Sequence, residues 1–317
     1  MIPDIPMMFH PSLGVTDLAL PREWFPRVFG REVIEWRSPL SVANSDFRTS
    51  YSVFVNIADL HMQAHDPALR TGNGAIERFA TKRFSGVGLN ACVWYTTNAV
   101  ALVERLADYG VRCQDFTGEL VRSGYAPRSG LEADGFYMVF ALPEDTGFHY
   151  SFVQYDYNGQ YWKDHGAFYR AGDPRLSSDW VLPPVSPDDP LGIKKCHHHT
   201  IITTNTARAL NLYVEALGGR IVATEYNRSL DADSTYLEFA GSILEFASPR
   251  LNTSPLLKHV AEGRDHYYGI TFQVSDSERT ERHLRDVGIS PKRDFDGGVT
   301  IDPGHGLGAW WRFVEIA

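Results

Sequence analysis

The sequence predicts an α+β fold of four βαβββ modules, paired into two incompletely closed eight-stranded barrels. Two observations predict it. A pattern of strand, polar helix cap, amphipathic helix and glycine stop recurs four times along the 317 residues. One such unit alone leaves an open sheet edge and an uncovered apolar face, so units must pair to bury a core. The chain is long enough for two cores.

The third copy is the clearest. From His198 to Ile202 the chain is short, apolar and β-branched at alternate places, as a half-buried strand requires. Asn205 stands where a cap would satisfy the first free helix N–H groups. Ala209, Leu210, Tyr213 and Leu217 follow at helical spacing, and Gly218-Gly219 ends the helix. Strands at Arg220–Tyr226, Thr235–Phe239 and Ser242–Ala247 complete the unit. The first copy runs from Phe9-His10 to Asp17, through a helix with Trp24, Phe25, Val28 and Phe29, to Gly30. Its strands are Glu32–Trp36, Tyr51–Asn56 and Leu60–Ala64. The second starts at Gly88, is capped at Asn98, stops at Gly110 and ends with a strand from Phe148 to Tyr155. The fourth starts at Tyr268, is capped at Asp276, stops at Gly288 and ends with a strand from Trp310 to Ile316.

Residues 1–156 are expected to form the N-terminal pair and 193–317 the C-terminal pair. Between them, 157–192 is first aromatic (Tyr157, Tyr161, Trp162, Phe168, Tyr169). It is then proline-rich from Asp173 to Pro190, which reads as an interdomain linker. Copy one is expected to pair with two, and three with four. The alternative is one with four and two with three; His198 and Glu245 stay together in either case.

A net charge of -9 without a basic stripe argues against a nucleic-acid partner. No apolar run reaches the ~20 residues that span a bilayer, and the start lacks the basic and apolar regions of a secretory signal. Cys92, Cys113 and Cys196 are odd in number and far apart, which suits reduced thiols in a cytoplasmic protein. The expected partner is a small-molecule substrate, and a homodimer stays open. Phosphate-binding loops, dinucleotide fingerprints, nucleophile elbows and zinc-finger spacings do not occur.

The stretch from Cys196 to Gly219 resembles the opening of a module of the vicinal oxygen chelate superfamily. That group includes glyoxalase I, extradiol dioxygenases, fosfomycin-resistance proteins and cyclitol (valiolone-type) epimerases. In its pattern a metal-binding histidine lies seven residues before the polar residue that opens the helix, which is His198 counted back from Asn205. The resemblance implies ligand positions on the first and fourth strands of each module. Copy three offers His198 and Glu245, and copy four offers Tyr268 or Gly269, and Glu315. Copy one offers His10 and Gln63, and copy two Asn90 and Gln154. Glu245 lies in an otherwise apolar strand, where a carboxylate needs a partner such as a divalent cation. His198, Glu245 and Glu315 are therefore the expected ligands of a divalent metal (Zn, Mn, Ni or Fe), with the two glutamates as candidate proton carriers. His266 and His305 are loop histidines that could replace a missing ligand. His197 and His199 should alternate to the outer face, and His61 and His65, beside Gln63, read as surface or interface residues. The N-terminal set has no carboxylate and reads as a degenerate or substrate-contacting site.

Such a cation leaves positions open for two neighbouring substrate oxygens. The resemblance then implies proton transfer by enolisation, hence an isomerase or epimerase acting on a hydroxyketone or cyclitol. An extradiol ring-cleaving dioxygenase is the enzymatic alternative, although its second histidine belongs where this chain has Tyr268-Gly269. A non-catalytic small-molecule binding protein is the third reading.

Overall fold

The computed structural model describes residues 4–36, 51–69, 82–83, 85–115, 117–121, 136–155, 173–250, 254–260 and 264–316. The first module contributes β1 (Met8–Gly14), α1 (Ala19–Trp24, continued by a wider turn over Phe25–Phe29), β2 (Ile34–Trp36), β3 (Ser52–Ile57) and β4 (Leu60–His65). The second has β5 (Gly88–Tyr95), α2 (Ala99–Asp108), β6 (Cys113–Gln114), β7 (Leu120–Val121), β8 (Phe136–Ala141) and β9 (Tyr150–Tyr155). The third has β10 (Ile193–Ile202), α3 (Thr206–Leu210, widening over Asn211–Ala216), β11 (Arg220–Asn227), β12 (Ala232–Phe239) and β13 (Ser242–Pro249). The fourth has β14 (His266–Val274), α4 (Ser277–Asp286), β15 (Lys292–Arg293), β16 (Val299–Ile301) and β17 (Trp310–Glu315).

Three of the expected helix caps form. Asn98, Asn205 and Asp276 each accept from the backbone N–H three residues on. Asp17 caps differently, accepting from Ala19.

The modules form two mixed sheets, and neither closes on itself by hydrogen bonds among the described residues. One has the order β2-β3-β4-β1-β5-β9-β8-β6-β7; the other has β11-β12-β13-β10-β14-β17-β16-β15. Modules one and two therefore join edge to edge through β1 and β5, and modules three and four through β10 and β14, both antiparallel. Within a module the first strand runs parallel to the last.

A second pairing lies across the backs of the sheets, where the helices sit. Trp24 and Phe29, from the first module's helix, pack on Trp311 of the fourth module at 5.6 and 5.3 Å between ring centroids. Tyr213, from the third module's helix, packs on Trp94 and Tyr150 of the second at 6.0 and 5.2 Å. Polar ties follow the same route: Arg105 donates to the Ala216 and Glu215 carbonyls, and Asn211 to that of Tyr109. One apolar cluster runs through both halves. Edge pairing thus joins one with two and three with four, while back-to-back packing joins one with four and two with three. The faces opposite the helices, which carry His10 and His198, lie on the other side of each sheet from this shared core.

The aromatic residues of 157–169 lie outside the described residues. From Asp173 on, the connecting segment is pinned rather than loose. Tyr95 donates to buried Asp173, and Arg175 donates to the carbonyls of Phe9 and Asp59. Buried Asp189 pairs with Arg31, and Arg279 donates to its carbonyl.

Candidate metal and substrate site

Directly opposed residues in a sheet share a face, so the strand registers fix the site. Gly269, Thr200, Glu245, Tyr236 and Ala223 form one row across β14, β10, β13, β12 and β11. Thr200 places His198 two residues earlier on the same face. The structure brings together His198 and Glu245, which are 4% and 0% exposed. His198 Nε2 stands 3.3 Å from Glu245 Oε2.

Glu245 is held by neutral donors. Oε1 accepts from Asn227 Nδ2 and Ser234 Oγ at 2.7 Å and from the Tyr236 hydroxyl at 3.0 Å; Oε2 accepts from Thr200 Oγ1 at 2.7 Å. Burial alone would raise its pKa, but His198 and the Thr200 and Ser234 hydroxyls bring it down to about 2. Burial and the Glu245 charge push the Tyr236 phenol up, so it stays protonated. The strand bulges between Cys196 and His198. The bulge turns His197 back toward its neighbour, Nδ1 to Nδ1 at 2.7 Å, instead of leaving it on the outer face. Burial beside His198 brings the His197 imidazole down to about 4.

Glu315 is not brought to this site. In the parallel pairing of β14 with β17, Thr271 faces Arg312, as Thr200 faces Glu245. The fourth-strand position is therefore Arg312, whose guanidinium pairs with Asp294 and Asp296. Glu315, three residues on, is exposed, and its Oε2 accepts from the N–H of Ser277, the first residue of α4. Gln154 repeats the arrangement: Val93 faces Ser151, and Gln154 Oε1 accepts from the N–H of Ala99, the first residue of α2. Both residues thus serve a helix start, where backbone donors need acceptors.

Asn90 occupies a bulge between Leu89 and Ala91 and bonds to the His65 ring at 3.1 Å. The residue seven before Asn98 is Ala91. In the N-terminal cup His10 and Gln63 are both buried and joined through Ser12, whose hydroxyl lies 3.2 Å from each. His10 also meets Phe54 edge-on, and burial brings it down to about 3. His61 and His65 are buried rather than at the surface. His199 is buried too, between Cys196 and the Tyr267 hydroxyl. His266 begins β14 and stacks on His259, while exposed His305 sits on Asp302. Among the described residues no three His, Cys, Asp or Glu side chains gather as a metal cage.

Gly269 closes one option. A Cβ there would lie 2.5 Å from the Trp310 carbonyl oxygen and 2.7 Å from its indole. This backbone has no room for a histidine at the position where the extradiol pattern needs one. Trp310 stacks on Tyr268 and, with Leu230 and Leu256, fills that end of the cup.

Solved structures share this arrangement over nearly the whole chain. A mutant of 4-hydroxymandelate synthase from Streptomyces coelicolor superposes with a TM-score of 0.58 at 12% identity, covering 99% of this chain and 93% of that one. The Mn(II)-bound glyoxalase from Novosphingobium aromaticivorans gives 0.56 at 12%, covering 99% and 82%. A halotolerant catechol dioxygenase gives 0.53 at 13%, covering 99% and 89%. The chain has the vicinal oxygen chelate fold. No protein-family model and no curated protein matches the sequence. Those neighbours differ in chemistry, so the vicinal oxygen chelate fold sets the scaffold and the residues must argue the reaction.

An imidazole and a carboxylate are donors that a divalent cation takes, and the spacing of His198 and Glu245 suits two bonds to one ion. A buried charge-assisted hydrogen bond closes to about 2.8 Å. Two ligands each about 2.1 Å from one ion at near-right angles stand roughly 3 Å apart, close to the 3.3 Å seen here. Each donor also has the outer partners that metal ligands use: His197 on the far nitrogen of His198, and Asn227, Ser234 and Tyr236 on the far oxygen of Glu245. Thr200, Asn227, Ser234, Tyr236 and His197 were not singled out as site residues in the sequence. The signal that could have found two of them is the alternation of Ser234 and Tyr236 on one strand face.

Proposed function

We propose that the protein is a metal-dependent isomerase or epimerase for a small oxygenated molecule of hydroxyketone or cyclitol type. The supporting observation is the buried pair of His198 Nε2 and Glu245 Oε2, facing each other at 3.3 Å, with outer partners on their remaining atoms. These two residues would hold the ion, and neighbouring substrate oxygens would complete its shell. The bound ion would polarise a substrate carbonyl and make the adjacent C–H more acidic.

The chain's own groups then divide the work. Substrate enters from the β11–β12 side, where Tyr236 and Asn227 are half-buried and Glu225 is exposed. Trp310, Tyr268 and Leu256 pack the opposite end and keep water from it. The Glu245 oxygen left off the ion would take the proton from that C–H and return it to the substrate, with the Tyr236 hydroxyl bonded beside it. Ring cleavage is the weaker reading, because Gly269 and Trp310 leave no place for a second histidine.

Metal analysis of the purified protein tests the proposal. The wild type is expected to carry stoichiometric divalent ion and to exchange solvent deuterium into a hydroxyketone. His198→Ala and Glu245→Gln should lose the ion while keeping the native circular dichroism. A folded His198→Ala protein that retains its metal would remove the residue from the site. A wild type that takes up no divalent ion would end both enzyme readings; oxygen uptake with catechols by the metal-loaded protein would restore the dioxygenase.

A further inference from the structure

We infer that His197 is a positioning residue: the bulge in β10 places its Nδ1 to fix which nitrogen His198 offers to the ion. The inference rests on the metal reading above and adds a residue to it.

A neutral imidazole carries one hydrogen. For His198 to present a lone pair at Nε2, toward Glu245, its hydrogen must be on Nδ1. The atom facing that position is His197 Nδ1, at 2.7 Å, the only contact of His198 Nδ1 among those described. His197 can accept only if its own hydrogen is on Nε2. That ring is half-buried and lines a cleft of about 220 Å³ between the halves, with Asp59, Trp180 and Ser242. The cleft leaves room for a hydrogen on His197 Nε2, so with the ion bound in place of the His198 Nε2 hydrogen the two rings would form one matched pair of tautomers.

The backbone is arranged for this contact. On a regular strand, adjacent side chains point to opposite faces. Here the β10–β14 register slips between Cys196 and His198, and His197 is the extra residue. Cys196 keeps to the helix side, opposite Phe272, and His198 to the cup side, opposite Thr271. An inserted residue weakens the ladder locally; here it brings an acceptor to His198 that no regular neighbour could supply.

Competitive metal titration with a chromophoric chelator tests the inference on wild type, His197→Phe and His197→Asn. Phenylalanine keeps the ring volume and removes the acceptor; the asparagine Oδ1 restores an acceptor near the place of Nδ1. His197→Phe is expected to bind divalent ion about 10–100-fold more weakly, the usual cost of losing such a partner. His197→Asn should stay within about threefold of wild type. The apoproteins should melt alike, which separates positioning from a folding defect. Equal affinity of His197→Phe and wild type, or equal weakening in both variants, would overturn the role of His197 and leave the metal site standing. A wild type without metal affinity would overturn both.

Discussion

Buried imidazoles decide how this protein responds to acid. His10 and His199 are 5% and 2% exposed, and burial brings each down to about 3. Above pH ~6.5 both are neutral, folded or unfolded. Below it the unfolded chain takes up their protons first, so stability falls as pH drops toward 3. Glu245, at about 2 when folded, adds a second loss that begins near pH 4.5. Thermal melting of the metal-free protein should therefore decline steadily from pH 7 to pH 4. Glu245→Gln should lack the added loss below pH ~4.5; a melting temperature level across that range would refute this account. His198 and Glu245 were legible in the sequence because each is locally anomalous: an imidazole at a fixed distance from a helix cap, and a carboxylate inside an apolar strand. His197 was not, since simple alternation sends it outward and only the bulge brings it back.

At the level of elements, the strands were legible and their register was not. Hydrophobic alternation located β10, β13, β14 and β17, and the caps located the helices. Which residue of a fourth strand faces the first, however, depends on parallel pairing between segments far apart in sequence. Arg312 and Ser151 hold those positions, three residues before Glu315 and Gln154. Both errors share one cause. A polar side chain near the end of the last strand is needed where the module's helix begins, and in sequence it looks like a ligand. Glu315→Ala is thus expected to cost about 1 kcal/mol of stability, as loss of a helix-start acceptor does, and to leave metal content unchanged. Denaturant melts alongside metal analysis decide it; loss of metal would return Glu315 to the site.

Across the whole molecule, the halves do not stand as two beads on a linker. Phe29 lies within 6 Å of Trp311, Phe272 and Phe313, so the first module's helix is part of the fourth module's core. Phe29→Ala should cost about 3–5 kcal/mol and should lower the unfolding midpoint of both halves together. Tryptophan fluorescence and far-ultraviolet circular dichroism should trace one transition; two separated transitions would show independent halves. The four-fold repeat was legible because caps and glycine stops recur. The crossed packing was not, because apolar helix faces look alike whichever sheet they cover.

That crossed packing gives the N-terminal half a duty apart from its own cup. Its register positions are His10, Gln63, Ala91 and Ser151, a set without a carboxylate. Its reverse side supports the C-terminal half through Trp24, Phe29, Trp94 and Tyr150. Selection on one surface of a sheet need not act on the other. A module can be indispensable to the fold whatever its own open face does, as masonry behind a wall whose window lies elsewhere.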